Sequence, residues 1–191
     1  MKKRALILIV LLLMGIIANS CEQAPSLQQY FVEKMDDSSF LIINLPIQID
    51  SLFQEEITDS EREVIANIGK LNLLFYKKHT NNSEKYFTEV GRVKKILSAK
   101  RYQNLMDFKA FDKAQGNLLF EGKTDQIEEG IVFLYAKNMG FGVLRILGND
   151  LNPGGLNSLC KKININQLES KIKSSVGSLR NFMRSQEIII Q

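Results

Sequence analysis

Residues 131–147, IVFLYAKNMGFGVLRIL, contain the pattern that decides the fold. Two short apolar runs, Ile131–Lys137 and Gly140–Leu147, flank the tripeptide NMG at 138–140. Asparagine and glycine tolerate the positive φ angles that a tight hairpin turn requires. The stretch therefore predicts two antiparallel strands joined by a hairpin.

Four more strand-like runs precede this hairpin. Tyr102–Phe111 and Asn117–Lys123 are short, are separated by turns and come directly before it, which predicts an antiparallel meander of four strands. Phe40–Leu45 (FLIINL) and Leu71–Lys77 (LNLLFYK) are apolar runs of strand length earlier in the chain. The sheet is therefore expected to contain two early strands and the meander.

Helical spacing of apolar residues predicts five helices around these strands. They are Leu27–Met35, with Leu27, Tyr30, Phe31 and Lys34 on one face; Pro46–Phe53; a helix that the capping box Ser60-x-x-Glu63 opens and that runs to about Ile68; a helix from Ser83 to about Ala99; and a helix that Asn152 caps and Pro153 begins. We therefore predict an α+β fold with a mostly antiparallel sheet and helices mainly on one face.

The longest of these helices has a clear apolar stripe. The residues expected to point inward recur at three- and four-residue steps: Phe87, Val90, Val93 or Lys94, and Leu97. The residues expected to face solvent are Lys85, Glu89, Arg92 and Lys95.

The first twenty-one residues predict export and lipidation. Residues 2–4 (KKR) are basic, Ala5–Ala18 is an uninterrupted apolar run, and Asn19-Ser20 precedes Cys21. This is the layout of a signal peptide, and a cysteine directly after the small step is typical of a bacterial lipoprotein signal. We therefore expect cleavage of residues 1–20 and attachment of lipid to Cys21, which anchors the protein to a membrane of the cell envelope.

Two alternatives to lipidation remain at this point. Asn19 is atypical in a lipoprotein signal, so an ordinary signal peptide cut near Ala18–Ser20 would also fit. A retained membrane anchor fits less well, because fourteen apolar residues are fewer than the eighteen or more of a spanning helix. Among the residues directly after the cysteine, 22–26 (EQAPS), only Glu22 is acidic, which favours the periplasm over the cell surface.

Composition argues against a nucleic-acid partner. The chain has 25 Lys and Arg against 21 Asp and Glu, but three of the basic residues lie in the signal peptide. Removal of residues 1–20 leaves 22 against 21, so the basic isoelectric point owes much to the signal. The mature chain is long enough for one ordinary domain with a full core. We expect a tether at 21–26 and a single domain at 27–164.

Residues 165–191 are predicted to form a basic amphipathic helix. Its apolar stripe is Ile165, Leu168, Ile172, Val176, Leu179 and Met183, and Lys171, Lys173, Arg180 and Arg184 lie outside the stripe. Two interpretations stay open: the stripe docks on the domain, or the helix lies on anionic lipid or on a partner.

Four segments carry a resemblance to a known family. They are FLIINLPIQI (40–49), KLNLLFYKK (70–78), VKKIL (93–97) and IVFLYAKNMGFGVLRILGNDLNP (131–153). Together they make the chain between Leu27 and Ile165 similar to a family of small bacterial lipoproteins catalogued as domain of unknown function 4252. The resemblance implies a lipoprotein but supplies no activity and no catalytic residues.

The search for catalytic motifs gives only weak candidates. His79, the single histidine, lies in a Lys-Lys-His-Thr-Asn turn and is best interpreted as a solvent-exposed residue. Gly148–Gly155 (GNDLNPGG) lacks the Gly-Lys-Ser/Thr ending of a phosphate loop and is better explained as a turn into a capped helix.

Four acidic residues and one cysteine are further candidates for a functional site. Glu121, Asp125, Glu128 and Glu129 could bind a divalent cation, but their spacing matches no calcium loop, and a solvated hairpin is the simpler interpretation. Cys160 lies at helical spacing from Leu156, Leu159 and Ile163, which favours a small buried hydrophobe over a reactive thiol. We expect no catalytic, cofactor or metal residues.

The resulting expectation is a lipid-anchored, non-enzymatic envelope module that binds an envelope protein or another component through its sheet face or its helical tail. The alternative is a small-molecule or lipid carrier with a pocket between sheet and helices. A hydrolase with a site built only of carboxylates is a third hypothesis.

Overall fold

A computed structural model describes residues 25–45, 56–110, 114–124, 126–137 and 139–162. The signal peptide, Cys21, the predicted helix Pro46–Phe53 and the predicted tail helix lie outside these residues. The elements in chain order are α1 (Leu27–Lys34), β1 (Phe40–Leu45), α2 (Asp59–Ala66), β2 (Ile68–Lys77), a 3₁₀ turn (Thr80–Asn82), α3 (Ser83–Leu97), β3 (Tyr102–Ala110), β4 (Ala114–Lys123), β5 (Gln126–Ala136), β6 (Gly140–Leu151) and α4 (Pro153–Lys162).

The six strands form one sheet in the order β1-β2-β6-β5-β4-β3, and every neighbouring pair is antiparallel. The predicted α+β class, the two early strands and the four-strand meander are confirmed. β5 begins five residues before the predicted Ile131, and β6 extends four residues beyond the predicted Leu147. The sequence pattern missed these extensions, because their polar residues interrupt the apolar pattern of each strand.

Helices α1 and α3 pack on one face of the sheet, called here the α1/α3 face. Its core contains the following buried residues: Leu27, Tyr30 and Phe31 of α1; Tyr86, Val90, Val93, Ile96 and Leu97 of α3; and Leu74, Tyr76, Leu119, Ile131, Phe133, Phe141 and Val143 of the sheet. The predicted buried face of α1 is confirmed residue by residue.

Helices α2 and α4 pack on the opposite face, called here the α2/α4 face. Val64 of α2 and Leu156 and Leu159 of α4 share a second core cluster with Phe120 and Ile146 of the sheet. The sequence places helices mainly on one face, whereas the four described helices divide two and two. The helical pattern of a segment shows which of its sides is apolar but carries no information about which face of the sheet that side will cover.

The stripe of α3 agrees with the prediction at Val90, Val93 and Leu97 and differs from it at Phe87 and Glu89. Phe87 is 56% exposed, and the neighbouring Tyr86 is buried instead, with its hydroxyl donating to the Ala136 carbonyl over 2.8 Å. Glu89, expected in solvent, is also buried. Both expectations were wrong for one reason: the helix is rotated so that Glu89 meets the side chains of α1.

The start of α2 also differs from the prediction. The capping box is formed by Thr58 and Glu61, two residues before the predicted Ser60 and Glu63, and the helix ends at Ala66. Both pairs satisfy the T/S-x-x-E pattern, so local sequence could not choose between them. The observed register points Glu61 at Ser158 and Lys162 of α4, a tertiary contact that favours it.

Local predictions at both ends of β6 are confirmed. Gly140 has a φ of 136°, and a Cβ there would lie 2.1 Å from the Tyr76 carbonyl oxygen, so the hairpin requires glycine. At the other end, Oδ1 of Asn152 accepts from the amides of Gly154 and Gly155 at 2.8 and 3.2 Å. Asn152 is therefore the cap of α4.

Candidate functional site

Three segments meet at the end of the sheet that carries the β5–β6 hairpin. The Lys78 side chain, just after β2, donates to the Lys137 carbonyl at 2.7 Å, and its backbone amide donates to the Met139 carbonyl at 3.1 Å. The Lys78 ammonium also lies 5.0 Å from the Tyr86 ring centroid and 4.7 Å from the Phe87 centroid. Lys78 thereby joins the hairpin to the first turns of α3.

This junction exposes apolar side chains. Phe87 is 56% exposed and Met139 is 60% exposed, and they are two of the four large hydrophobic side chains that are exposed in the described part of the chain. We call Lys77, Lys78, Phe87, Lys137 and Met139 the hairpin-end patch. An exposed phenylalanine and an exposed methionine that both contact the same residue, Lys78, are the kind of surface that partners cover.

The charge of the hairpin-end patch is positive. Lys77 and Lys137 are exposed, and within the described residues none of its three lysines forms a salt bridge with a carboxylate. Next to the patch, the ammonium of Lys94 in α3 lies 4.0 Å from the ring centroid of Tyr135 in β5. The patch can therefore bind an anionic group and an apolar group together.

His79 follows the patch in sequence and is exposed, as predicted. Its backbone amide donates to Oδ1 of Asn82 at 2.6 Å, which orders the turn into α3. In the portion of the chain that the structure describes, no three His, Cys, Asp or Glu side chains converge as metal ligands.

The described acidic candidates, Glu121, Glu128 and Glu129, lie within β4 and β5. Glu121 and Glu129 are cross-strand partners, Glu128 is exposed, and Asp125 lies outside the described residues. Glu129 is buried in a two-fold ion pair with Arg145 of β6, at 2.6 and 3.1 Å. The predicted solvated hairpin is therefore wrong for Glu129, because this residue belongs to β5 and its carboxylate is the internal charge partner of Arg145.

Glu121 has the most unusual environment of these acids. Burial raises the pKa of its carboxyl above the ordinary value, and the neighbouring Glu129 carboxylate raises it further, while the charges of Arg101 and Arg145 oppose the shift. A carboxyl with a raised pKa next to an ionised one is a pattern found in acid–base catalysis. Here Arg145 binds Glu129, and the Arg145 guanidinium lies 5.3 Å from the centroid of the Phe31 ring. The Glu129–Arg145 pair therefore belongs to the core.

The glycine-rich segment Gly148–Gly155 borders a surface pocket of about 450 Å³. The pocket lies between α2, the end of β6 and the start of α4, and its lining residues are Ser60, Glu63, Val64, Asn67, Thr124, Asp150, Asn152, Pro153, Gly154 and Gly155. Glu63 and Asp150 make its charged wall acidic, and Asn152 already occupies the amides at the start of α4. The pocket is therefore unsuited to phosphate. The predicted turn is wrong for Gly148–Leu151, which belong to β6 because they continue its pairing with the neighbouring strands, whereas the predicted helix cap at Asn152 is observed.

Cys160 is partly buried on α4, and burial raises the pKa of its thiol to about 12. The thiol therefore remains protonated at neutral pH, and a protonated thiol is a poor nucleophile. This environment agrees with its interpretation as a small apolar residue.

Sequence reasoning missed the hairpin-end patch. Its parts are spread over residues 77–139, and the sequence pattern placed Phe87 in the core because an aromatic residue at helical spacing is usually buried. The available signals were the Lys77-Lys78 pair and Lys137 beside a hairpin tip that carries Met139. Nothing in the sequence indicated that these segments lie together.

The fold and this surface define a class of protein: an α+β domain with one antiparallel sheet, helices on both faces and a cationic, partly apolar surface at one end. The chain belongs to the family described as domain of unknown function (DUF4252), whose model matches residues 31–159. Comparison with curated proteins and with solved structures finds no match. Among the described helices, none is long and apolar enough to cross a membrane.

Proposed function

We propose that this protein is a lipid-anchored envelope module that binds an acidic protein surface through its hairpin-end patch and catalyses no reaction. The observation that carries the proposal is the exposure of Phe87 and Met139 among three lysines that have no carboxylate partner in the described chain. The anchor is the lipid expected on Cys21, and the compartment is the periplasm.

The position of the tether supports this choice of surface. The Leu27 amide donates to the Tyr102 hydroxyl at 3.1 Å, so the chain enters the domain at the row of the sheet that contains Tyr102, Glu121 and Glu129. From Glu129 to Ala136, β5 covers roughly 23 Å at about 3.3 Å per residue. The hairpin-end patch thus lies at the opposite end of the sheet from the tether.

A lipid on Cys21 would hold that entry point close to the bilayer, since six residues of tether reach at most about 20 Å. With the strands upright, the hairpin-end patch faces away from the anchoring membrane. This favours a protein partner over the lipid headgroups of the same membrane. Acidic groups would pair with the lysines, and apolar side chains would cover Phe87 and Met139.

The carrier hypothesis has weaker support. The pocket beside α4 is open and has a polar, acidic wall, whereas carriers of apolar molecules use enclosed apolar cavities. A hydrolase would require that the Glu121 and Glu129 pair be reached by substrate, yet Glu129 is 7% exposed and bound to Arg145.

Site-specific photocrosslinking in living cells tests the proposal. A photoreactive phenylalanine analogue at Phe87 should give a crosslink to one acidic protein of the envelope. Charge reversal at the two exposed lysines of the patch, Lys77→Glu with Lys137→Glu, should reduce the yield of that crosslink at least severalfold. The matched control is Lys123→Glu, which reverses an exposed lysine at the far end of β4 and should leave the yield unchanged.

Two outcomes would contradict the proposal. Crosslinks to lipid alone would assign the patch to a membrane surface. An equal loss of yield in Lys123→Glu would show that general charge, rather than this patch, governs the contact.

A further inference from the structure

The α2/α4 face of the sheet carries two rows of apolar residues, and helices α2 and α4 contact few of them. The register places Leu41, Phe75, Gly142, Leu134, Gly116 and Phe108 side by side across all six strands as the first row. The second row is Ile43, Leu73, Leu144, Val132, Leu118 and Met106. All twelve positions are apolar or glycine, which is unusual for a sheet face left to water.

Helices α2 and α4 cover a different part of this face, on the side of the second row that is remote from the first row. The next row along the strands, called here the third row, is Leu45, Leu71, Ile146, Gly130 and Phe120. The cluster formed with α2 and α4 includes Phe120 and Ile146 of the third row and reaches only Leu144 and Val132 of the second row. No residue of the first row belongs to it in the described chain.

The two rows are nevertheless partly shielded from water. Four of the twelve residues are buried (Ile43, Leu73, Leu118 and Gly116), the other eight are half-buried, and none is exposed. By contrast, Val32 on the outer side of α1 is 58% exposed. A bare sheet face in water would leave most of these side chains open, so the two rows require a cover that the described helices do not supply.

The chain leaves the described region on this same face. Helix α4 lies against it through Leu156, whose Cδ1 would be 3.2 Å from a Cβ on Gly130, and it ends at Lys162. The Lys162 ammonium is fixed to Glu61 of α2 at 2.8 Å. Residues 163–191 therefore start from the α2/α4 face.

The apolar stripe at 165–183 has the length of the uncovered surface. As a helix, nineteen residues extend roughly 28 Å at about 1.5 Å per residue. Six strands have five spacings of about 4.8 Å, so the sheet is roughly 24 Å wide. A helix about 10 Å across would span two rows that lie about 7 Å apart.

We propose that the C-terminal segment 165–191 docks across the two rows and buries Ile165, Leu168, Ile172, Val176, Leu179 and Met183 against them. The sheet face then belongs to the interior of the protein, and the hairpin-end patch is the surface left for a partner. This inference does not depend on the proposed function. The other segment next to this face, residues 46–55, must connect Leu45 of β1 to α2, and as a helix its ten residues would extend only about 15 Å, short of the sheet's width of roughly 24 Å.

A single tryptophan reports on the docking, because the protein has none of its own. Phe75→Trp places an indole in the first row of the full chain, and the same substitution is made in a chain that ends at Lys162. We expect buried emission in the full chain. In the shortened chain, emission should shift to longer wavelength, and quenching by acrylamide should increase severalfold. Emission that is identical in the two chains would overturn the proposal.

Phe87→Trp is the matched control, since it replaces an aromatic residue in the exposed patch. Its emission should be that of an exposed indole in both chains. Emission of Phe75→Trp that changes with protein concentration would assign the face to a second copy of the chain, and this would also overturn the proposal.

A second pair of variants decides the case in which the shortened chain fails to fold. Ile172→Lys with Leu179→Lys disrupts the stripe in the full chain and should expose the indole of Phe75→Trp or unfold the domain. Lys173→Glu changes a residue outside the stripe and should do neither. If the disrupted stripe leaves the emission buried and the fold intact, the proposal is wrong.

Discussion

Lys34 and Glu89 form a buried ion pair that joins α1 to α3. The Lys34 ammonium lies 2.6 Å from Oε1 of Glu89, and the Tyr30 hydroxyl donates to Oε2 at 2.8 Å. The two charged residues are 7% and 6% exposed. Hydrogen bonding to Glu89 and burial both raise the pKa of Tyr30, burial most of all, so the phenol stays a donor at every physiological pH. The sequence predicted Lys34 on the buried face of α1 but placed Glu89 in solvent, because its partners lie more than fifty residues away.

Removing one partner of this pair should be costly. We predict that Glu89→Leu destabilises the domain by about 3 kcal/mol, because the Lys34 ammonium loses its buried counter-charge and, of the described carboxylates, keeps only that of the exposed Glu33, 3.3 Å away. The double variant Lys34→Met with Glu89→Leu should recover most of that loss, since it leaves no buried charge. Denaturant unfolding of the two variants measures the difference, and a double variant no more stable than Glu89→Leu would contradict this account.

Glu121 gives a prediction about pH. Because its pKa is raised in the folded protein, folding opposes its ionisation, and its contribution to stability falls as the pH rises from the unfolded value near 4.3 through the folded one. Glu121→Gln removes the repulsion from Glu129 and should stabilise the domain at pH 7 by roughly 0.2–1 kcal/mol, the range of cross-strand pairs. The gain should disappear below about pH 4, where the carboxyl is protonated in both states. Unfolding curves at pH 7 and pH 4 test this, and equal gains at both would refute it.

The elements were the most predictable level of the structure. The face of α1, the cap of α4 and the glycine of the β5–β6 hairpin follow from local rules, since capping, apolar period and positive φ act within a few residues. Local rules did not predict the start of α2 or the rotation of α3. Contacts with α4 determine the first, and contacts with α1 determine the second. The extensions of β5 and β6 were missed because their pairing with neighbouring strands, not their own pattern, makes them strands.

Two glycines in regular elements should respond in opposite ways to alanine. Gly140→Ala should destabilise the domain by about 1–3 kcal/mol or more, because an L residue at this φ is strained and its Cβ would collide with the Tyr76 carbonyl. Gly91→Ala, in the middle of α3 with no atom within 4 Å of the new Cβ, should stabilise it by about 0.5–1 kcal/mol. Thermal unfolding of both variants provides the measurement. Equal effects would show that the hairpin geometry is not as described.

The junction of α2 and α4 should weaken in acid. Lys162, Ser158 and Thr58 bind the Glu61 carboxylate, and the hydrogen bond from Lys162 is the largest of the effects that lower its pKa to about 2. A lowered pKa means that the stabilisation is complete above the unfolded value near 4.3 and is lost as the pH falls toward about 2. Glu61→Gln should therefore lose stability at pH 7 and show a flatter pH dependence between pH 4 and pH 2. Glu63→Gln, on the exposed side of α2, is the control and should behave like the parent protein.

At the scale of the whole molecule, features that rest on contiguous sequence were predictable, and features that join distant segments were not. The class, the meander and the membership of the family could be anticipated, because they rest on strand patterns and on motifs that are contiguous in sequence. The pairing of β2 with β6 and the meeting of Lys78, Phe87 and Met139 could not, because each joins segments far apart along the chain. The candidate binding surface is thus a product of topology and has no motif of its own.

The central claim of this account is that the domain is held at a membrane through lipid on Cys21, with its hairpin-end patch directed away from the bilayer. Mass spectrometry of the mature N-terminus, isolated from native membranes, tests it most directly. The account predicts a chain that begins at Cys21 and carries a thioether-linked diacylglycerol, since two or more acyl chains make membrane attachment stable. A mature chain with an unmodified Cys21, or with residues 1–20 still attached, would contradict it.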